Sequence, residues 1–208
     1  RGCKQTRIET DFYLRIMNIV WFELTAAIFG ALSVWLLARR NILAFPLGIV
    51  NVAMYVVIFY NARFYSDMAL QVVYIVLQIQ GWYAWSRGEK ASDERIAVRR
   101  FTPQSWLLSG VLLVAGTVVI GYLMSRFTDA ALPWLDAGTT SLSLIAQLWM
   151  NKKYLENWVL WILVDFVYLY QYGVKELYLT MGLYAVFLVL AVLGYINWKK
   201  QEVAAHEV

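Results

Sequence analysis

The chain has 208 residues, 61% of them hydrophobic and only 15% charged, with 10 Trp, 14 Tyr, 10 Phe and a formal net charge of +4. A soluble domain of that size would be about half apolar and about a quarter charged, so this composition describes an all-α membrane protein crossing the bilayer several times. The one cysteine, Cys3, excludes an internal disulfide or a cysteine-held metal. The one histidine, His206, lies in a polar tail, which excludes a histidine-based centre within the spans. Loop lysines and arginines account for the positive charge, and no nucleic-acid partner is implied.

Residues 1–15 mix Arg1, Lys4, Arg7 and Arg15 with Glu9 and Asp11 and read as a polar or interfacial lead-in. The chain opens on Arg1 without a cleavable signal pattern, as a trimmed or altered start would. A first unit, 16–86, holds three apolar spans. They fall at about 16–38 with Glu23 near its start, about 42–60 with Pro46 in its first turns, and about 65–85 with Gln71, Gln78 and Gln80. A loop dense in both charge signs, 87–105, leads to a featureless span at 106–124. A second unit, 130–198, has spans at about 131–150 (with Thr139, Thr140, Ser141, Ser143 and Gln147), 156–172 and 177–198, before a polar tail at 199–208. Seven spans put the termini on opposite faces. Eleven Lys and Arg lie on the C-terminal face against seven on the other, so the positive-inside rule places the C-terminus in the cytoplasm and the N-terminus outside.

Offset by 113 residues, the chain resembles itself. Tyr55 falls on Tyr168, Met68 on Met181, Gly81 on Gly194 and Trp85 on Trp198, while Arg39-Arg40 lands on Lys152-Lys153. Spans one to three thus correspond to spans five to seven, with span four as linker, a 3+1+3 plan. The odd linker makes both three-helix units insert in the same sense, related by an axis along the membrane normal. Parallel repeats of this kind belong to transporters that hold a solute near the midplane.

The sixth span carries a charge at depth. Trp158, Trp161, Asp165, Tyr168 and Tyr172 are spaced three, four, three and four, which sets them in one stripe of a helix with aromatic rings above and below the carboxylate. The opposite face, Val159, Leu160, Leu163, Phe166 and Val167, is apolar. An intramembrane carboxylate costs roughly 2.5–3.5 kcal/mol on insertion scales, so the stripe is expected to line a site for a flat, cationic small molecule. The alternative is a structural hydrogen bond between spans. Gln71, Tyr74, Gln78 and Gly81 form a second stripe, Gln147 sits on the fifth span, and Asn51 lies one turn before Tyr55. Amides offer a donor and an acceptor to a carboxamide or hydroxyl, or else act as interhelical glue. Trp82, Trp85 and Trp198, at span ends, fit an interfacial belt. With no histidine or cysteine in the spans and no closely paired carboxylates, neither an enzyme nor a metal or cofactor site is expected.

Four motifs resemble the PnuC family of nicotinamide riboside transporters: Glu156-Asn157-Trp158-x-x-Trp161-x-x-x-Asp165, Phe45-Pro46-Leu47-Gly48-Ile49-Val50-Asn51, Gly81-Trp82-Tyr83-x-Trp85, and Ser143 to Gln147 ahead of a dibasic turn. The likeness extends over about residues 20–200, with Asp165 where the family pattern often carries Asn. It implies a bacterial inner-membrane protein with a SWEET-like fold that assembles as a homotrimer. It further implies facilitated diffusion of nicotinamide riboside, a vitamin B3 form, made one-way by a cytoplasmic substrate kinase. On this reading Trp158 and Trp161 hold the pyridinium ring, Asp165 the carboxamide or positive charge, and Gln147 with Gln78 the ribose, with Asn51, Tyr168 and Gln71 completing the site. The runner-up is a neutral sugar or other nucleoside-like solute, coupled to protons through Asp165.

Overall fold

The computed structural model describes residues 2–61, 65–91, 98–128, 132–174 and 178–206. The turn expected around 61–63 beyond Asn61, and residues 92–97 of the charged loop, lie outside the described residues. The chain forms α1 (Gly2–Ala38), α2 (Ala44–Asn61), α3 (Tyr65–Ala91), α4 (Pro103–Phe127), α5 (Pro133–Asn151), α6 (Asn157–Val174) and α7 (Tyr178–His206). α1 runs unbroken through the polar lead-in into an apolar stretch that includes Val20–Ala38. By length and composition Val20–Ala38, Ala44–Asn61, Pro103–Phe127 and Met181–Glu202 are apolar enough to cross a membrane. The other three helices, α3, α5 and α6, are the ones that carry the glutamines, hydroxyls and Asp165.

Helix ends follow from local chemistry. The Thr102 hydroxyl accepts the Ser105 N–H at 3.2 Å and caps α4. Pro103 and Pro133 open α4 and α5, where a missing N–H costs nothing. Pro46 likewise lies in the first turn of α2 and starts the helix without kinking it. α1 ends in a Schellman turn: the Asn41 N–H bonds to the Leu36 carbonyl and the Arg40 N–H to Leu37, both at 2.9 Å. Arg40 takes a left-handed φ of 56° to allow this. α5 ends on the same bonds 113 residues later, Tyr154 to Trp149 at 3.1 Å and Lys153 to Met150 at 3.0 Å, with Lys153 at φ 63°. The following helices also start alike, since Ala44→Asn41, Phe45→Ile42 and Leu47→Leu43 recur as Asn157→Tyr154, Trp158→Leu155 and Leu160→Glu156.

Six helices close a ring. α1 packs on α2, α2 on α3, α3 on α5, α5 on α6, α6 on α7, and α7 back on α1. α4 stands outside and packs on α5, where Gly116 admits Ser141, Gly121 admits Trp134 and Thr117 meets Gly138. Its other face exposes Leu107, Val111, Val114 and Val118, as a helix bathed in hydrocarbon does. At the end bearing the α1–α2 and α5–α6 turns, the core is aromatic: Phe45 meets Trp85 at 5.1 Å, Trp85 meets Trp198 at 6.0 Å, and Trp198 meets Trp158 at 5.5 Å. Trp85 Nε1 donates to the Asn151 carbonyl at 3.2 Å, and Trp198 Nε1 to Leu37 at 3.1 Å. Both indoles are fully buried, so Trp85 and Trp198 are ring-closing core residues where a surface belt was expected; Trp82 is exposed. The difference is physical: each N–H finds a carbonyl on a neighbouring helix, so the ring can leave the interface.

The segment before α4 straps this end. Arg99 pairs with Tyr154 in a short parallel bridge, its N–H bonding Lys153 and its carbonyl accepting from Leu155, each at 2.9 Å. The Phe101 N–H bonds the Glu156 carboxylate at 3.0 Å, and Arg100 spans Glu202 of α7 at 2.6 Å and Glu156 at 3.7 Å. The Glu202 hydrogen bond holds the Arg100 guanidinium above its usual range, keeping it charged.

Glycines mark where rings sit. A Cβ on Gly194 would lie 2.6 Å from the Trp158 indole, whereas one on Gly182 would meet nothing within 4 Å. Gly194→Ala is therefore expected to destabilise the protein by about 1–3 kcal/mol through overpacking. Gly182→Ala is expected to be neutral or to stabilise by up to about 1 kcal/mol through helix propensity. Thermal unfolding of the two variants in detergent, followed by circular dichroism, checks the contrast.

Candidate functional site

Asp165 is the anomaly of the ring. It is 4% exposed and, among the described residues, makes no hydrogen bond or ion pair. Among the described side chains no ion pair reaches it, the basic residues of α3, α4 and α7 standing near the ends of those helices. The α6 stripe that bears it turns inward as its spacing requires, with Trp158 and Asp165 buried and Trp161, Tyr168 and Tyr172 half-buried. Leu163 and Phe166 on the reverse are exposed, while Leu160 joins Ile145, Ala146 and Trp149 of α5 in a satellite core.

The candidate residues differ in what they already touch. Trp158 is 1% exposed, edge-to-face with Trp198, and its Nε1 has no partner among the described residues. Trp161, half-buried, touches both the aromatic core and the α5 satellite. Tyr168 lies between Tyr172 of its own helix (5.8 Å) and Tyr184 of α7 (4.5 Å), and Tyr172 closes the trio at 5.2 Å from Tyr184. Asn51 gives its Nδ2 to the Ala26 carbonyl at 2.6 Å and packs on Gly30, so its amide joins α2 to α1. Gln71 is half-buried on α3 with no hydrogen bond among the described residues. Gln78, 8% exposed, fits over Gly48 beside Ser33, and its Oε1 is buried without a partner. A Cβ at Gly48 would lie 2.5 Å from the Gln78 amide nitrogen, so the glycine makes room for this side chain.

Gln147 belongs to a chain of amides. Its Nε2 donates to Asn151 Oδ1 at 3.0 Å, and Asn151 Nδ2 donates to the Leu77 carbonyl of α3 at 2.8 Å. One turn along the same seam, Tyr74 of α3 bonds the Ser143 hydroxyl at 2.6 Å. α3 and α5 are therefore stitched together by polar contacts. Asn151 and Tyr184 escape a reading of the sequence. Asn151 precedes Lys152-Lys153 and looks like a helix cap, and Tyr184 lies in a plainly apolar run. The one available signal is the offset of 113, which sets Tyr184 against Gln71.

The candidate residues include acceptors without partners, Asp165 and Gln78 Oε1, and one such donor, Trp158 Nε1. Aromatic rings flank the carboxylate. Such a set suits a donor-bearing, aromatic, positively charged guest.

Comparison with known proteins points the same way. The model of the nicotinamide mononucleotide transporter family matches residues 20–200. The chain is 32% identical to the nicotinamide riboside transporter PnuC of Neisseria mucosa over 193 residues, covering 86% of this chain and 72% of that protein. It is 26% identical to PnuC of Escherichia coli, over 87% of this chain and 86% of that one. A riboflavin/roseoflavin transporter, RibM of Streptomyces davaonensis, is 28% identical over 75% and 74% of the two chains. The crystal structure of the vitamin B3 transporter PnuC superposes with a TM-score of 0.73 at 29% identity, covering 88% of this chain and 83% of that one.

A buried carboxylate without a partner weakens the empty protein. Asp165→Leu is expected to raise its stability by on the order of 1 kcal/mol or more while weakening function, the usual trade at a binding site. Melting curves of the ligand-free proteins, measured beside uptake, test both halves.

Proposed function

The chain belongs to the nicotinamide mononucleotide transporter family as a PnuC-type membrane transporter, and from that premise we propose that it takes up nicotinamide riboside by facilitated diffusion. The relatives are named as transporters, not enzymes. The observation that carries the reading is Asp165, buried, unpartnered and flanked by aromatic side chains. In this reading Trp158 and Trp161 bound the pyridinium, Asp165 receives its charge or carboxamide, and Gln147 and Gln78 meet the ribose. Trp158 forms the floor from its packed position, and Trp161 supplies the more accessible ring. Tyr168, Gln71 and Asn51 line the approach.

Transport proceeds by alternating access, with two three-helix units, α1–α3 and α5–α7, rocking about the midplane and α4 linking them. Support comes from the recurrence of the two turns, bond for bond, 113 residues apart. The helix contacts also map onto themselves: α1 on α2 answers α5 on α6, α2 on α3 answers α6 on α7, and α3 on α5 answers α7 on α1. This parallel plan is the SWEET-like one. The C-terminus lies in the cytoplasm of a bacterial inner membrane and the N-terminus outside, the chain works as a homotrimer, and a cytoplasmic kinase traps the riboside.

The likeness to a riboflavin/roseoflavin transporter favours a second reading, a neutral nucleoside-like aromatic held by the same stripe, with Asp165 carrying a proton. Calorimetric binding separates them. Nicotinamide riboside is expected to bind the wild type and to lose about tenfold or more in affinity in Asp165→Ala and Trp161→Ala, as loss of a desolvated cation contact requires. Unchanged affinity in both variants, or tighter binding of riboflavin, refutes the cationic assignment.

A further inference from the structure

The chain of amides running from α3 to Gln147 has a direction, and the direction is forced. The Leu77 carbonyl can only accept, so the Asn151 group 2.8 Å away from it must be the NH2. That turns Asn151 Oδ1 toward Gln147, and an oxygen there can take only the Gln147 NH2, at 3.0 Å. Gln147 is thereby left with Oε1 outward, and no donor among the described residues is directed at it. The lock is well built: Asn151 and Gln147 are buried, the Asn151 carbonyl is held by Trp85 Nε1, and the Asn151 side chain lies where any side chain at Gly81 would have to go.

We infer that Asn151 is a positioning residue that fixes the polarity of Gln147, so that this part of the site offers an acceptor and selects a ligand group that donates an N–H or O–H. The inference rests on the nicotinamide riboside reading and adds to it a specificity rule: at Gln147, as at the unpartnered acceptors Gln78 Oε1 and Asp165, the guest brings the donor, while Trp158 Nε1 stands as an unpartnered N–H of the site itself. An unlocked glutamine would present either end and would discriminate poorly.

The test measures binding of nicotinamide riboside and of analogues that lose a donor without losing shape. These are nicotinamide ribosides in which one ribose hydroxyl is replaced by fluorine. In the wild type at least one analogue is expected to bind about tenfold more weakly than the parent, as loss of a hydrogen bond to a buried partner requires. In Asn151→Ala, where Gln147 is free to turn, that ratio falls toward unity. Asn151→Asp, in its buried protonated form, donates its O–H to the Leu77 carbonyl, keeps the oxygen that receives Gln147 Nε2 and restores the ratio. A purely structural Asn151 would weaken every ligand alike and leave the ratio unchanged, and that outcome overturns the inference. Should Asn151→Ala not fold, Gln147→Ala serves: it too should lose the discrimination, and keeping it overturns the inference. Wild-type protein that binds nicotinamide riboside without any such preference sinks the specificity rule alone. Wild-type protein that binds none of these ligands sinks the riboside reading, and the rule with it.

Discussion

Hydrocarbon offers no hydrogen bonds, and that single constraint arranges this molecule. Polar side chains on α3, α5 and α6 must meet each other, a backbone carbonyl or a guest. Several do so inside the ring: Tyr74 with Ser143, Gln147 with Asn151, Asn151 with Leu77, Gln171 with Asp136. Against that background the few groups left over carry information. The Asp165 carboxylate, Gln78 Oε1 and Trp158 Nε1 are among the buried groups without partners, beside Ser141, Asn157 and Gln201 outside the candidate site, and an unpaired buried group costs about 1–3 kcal/mol, more when charged. A protein retains such a cost where a ligand repays it.

The same constraint explains why glycine recurs at the seams. Gly48 yields to the Gln78 amide, Gly81 to Asn151 and Phe45, and Gly194 to Trp158. In each case a glycine on one helix receives a polar or aromatic side chain of another, which is how helices approach closely when lipid supplies no hydrophobic push between them. Packing and polarity are thus solved by one device. The helix that opens this seam structure least, α4, is the one with a bare apolar outer face.

Much of this was legible in the residues. The apolar runs located the helices, with 42–60 against Ala44–Asn61 and 156–172 against Asn157–Val174, because a run long enough to span hydrocarbon leaves little freedom at its ends. The three-four spacing around Asp165 named the inward face of α6. The offset of 113 placed two turns whose hydrogen bonds are the same. What stayed hidden depended on partners distant in sequence. Trp85 and Trp198 look like belt residues until the carbonyls of Asn151 and Leu37 are seen beside their N–H groups. Asn151 looks like a cap until Leu77 and Gln147 flank it. The lead-in looked separate from the first span because its charges interrupt hydropathy, although helix propensity carries α1 straight through.

The bond from Trp198 to Leu37 joins residues 161 apart, which dictates an order of biogenesis. During synthesis α1, α2 and α3 reach the bilayer while their ring partners are still in the ribosome. Until α5 arrives, Tyr74 and the Leu77 carbonyl lack Ser143 and Asn151, and until α7 arrives the Leu37 carbonyl has only the Arg40 N–H. The first three helices therefore keep a polar edge on α3 until α5 packs against it, and the ring seals only when α7 joins α1.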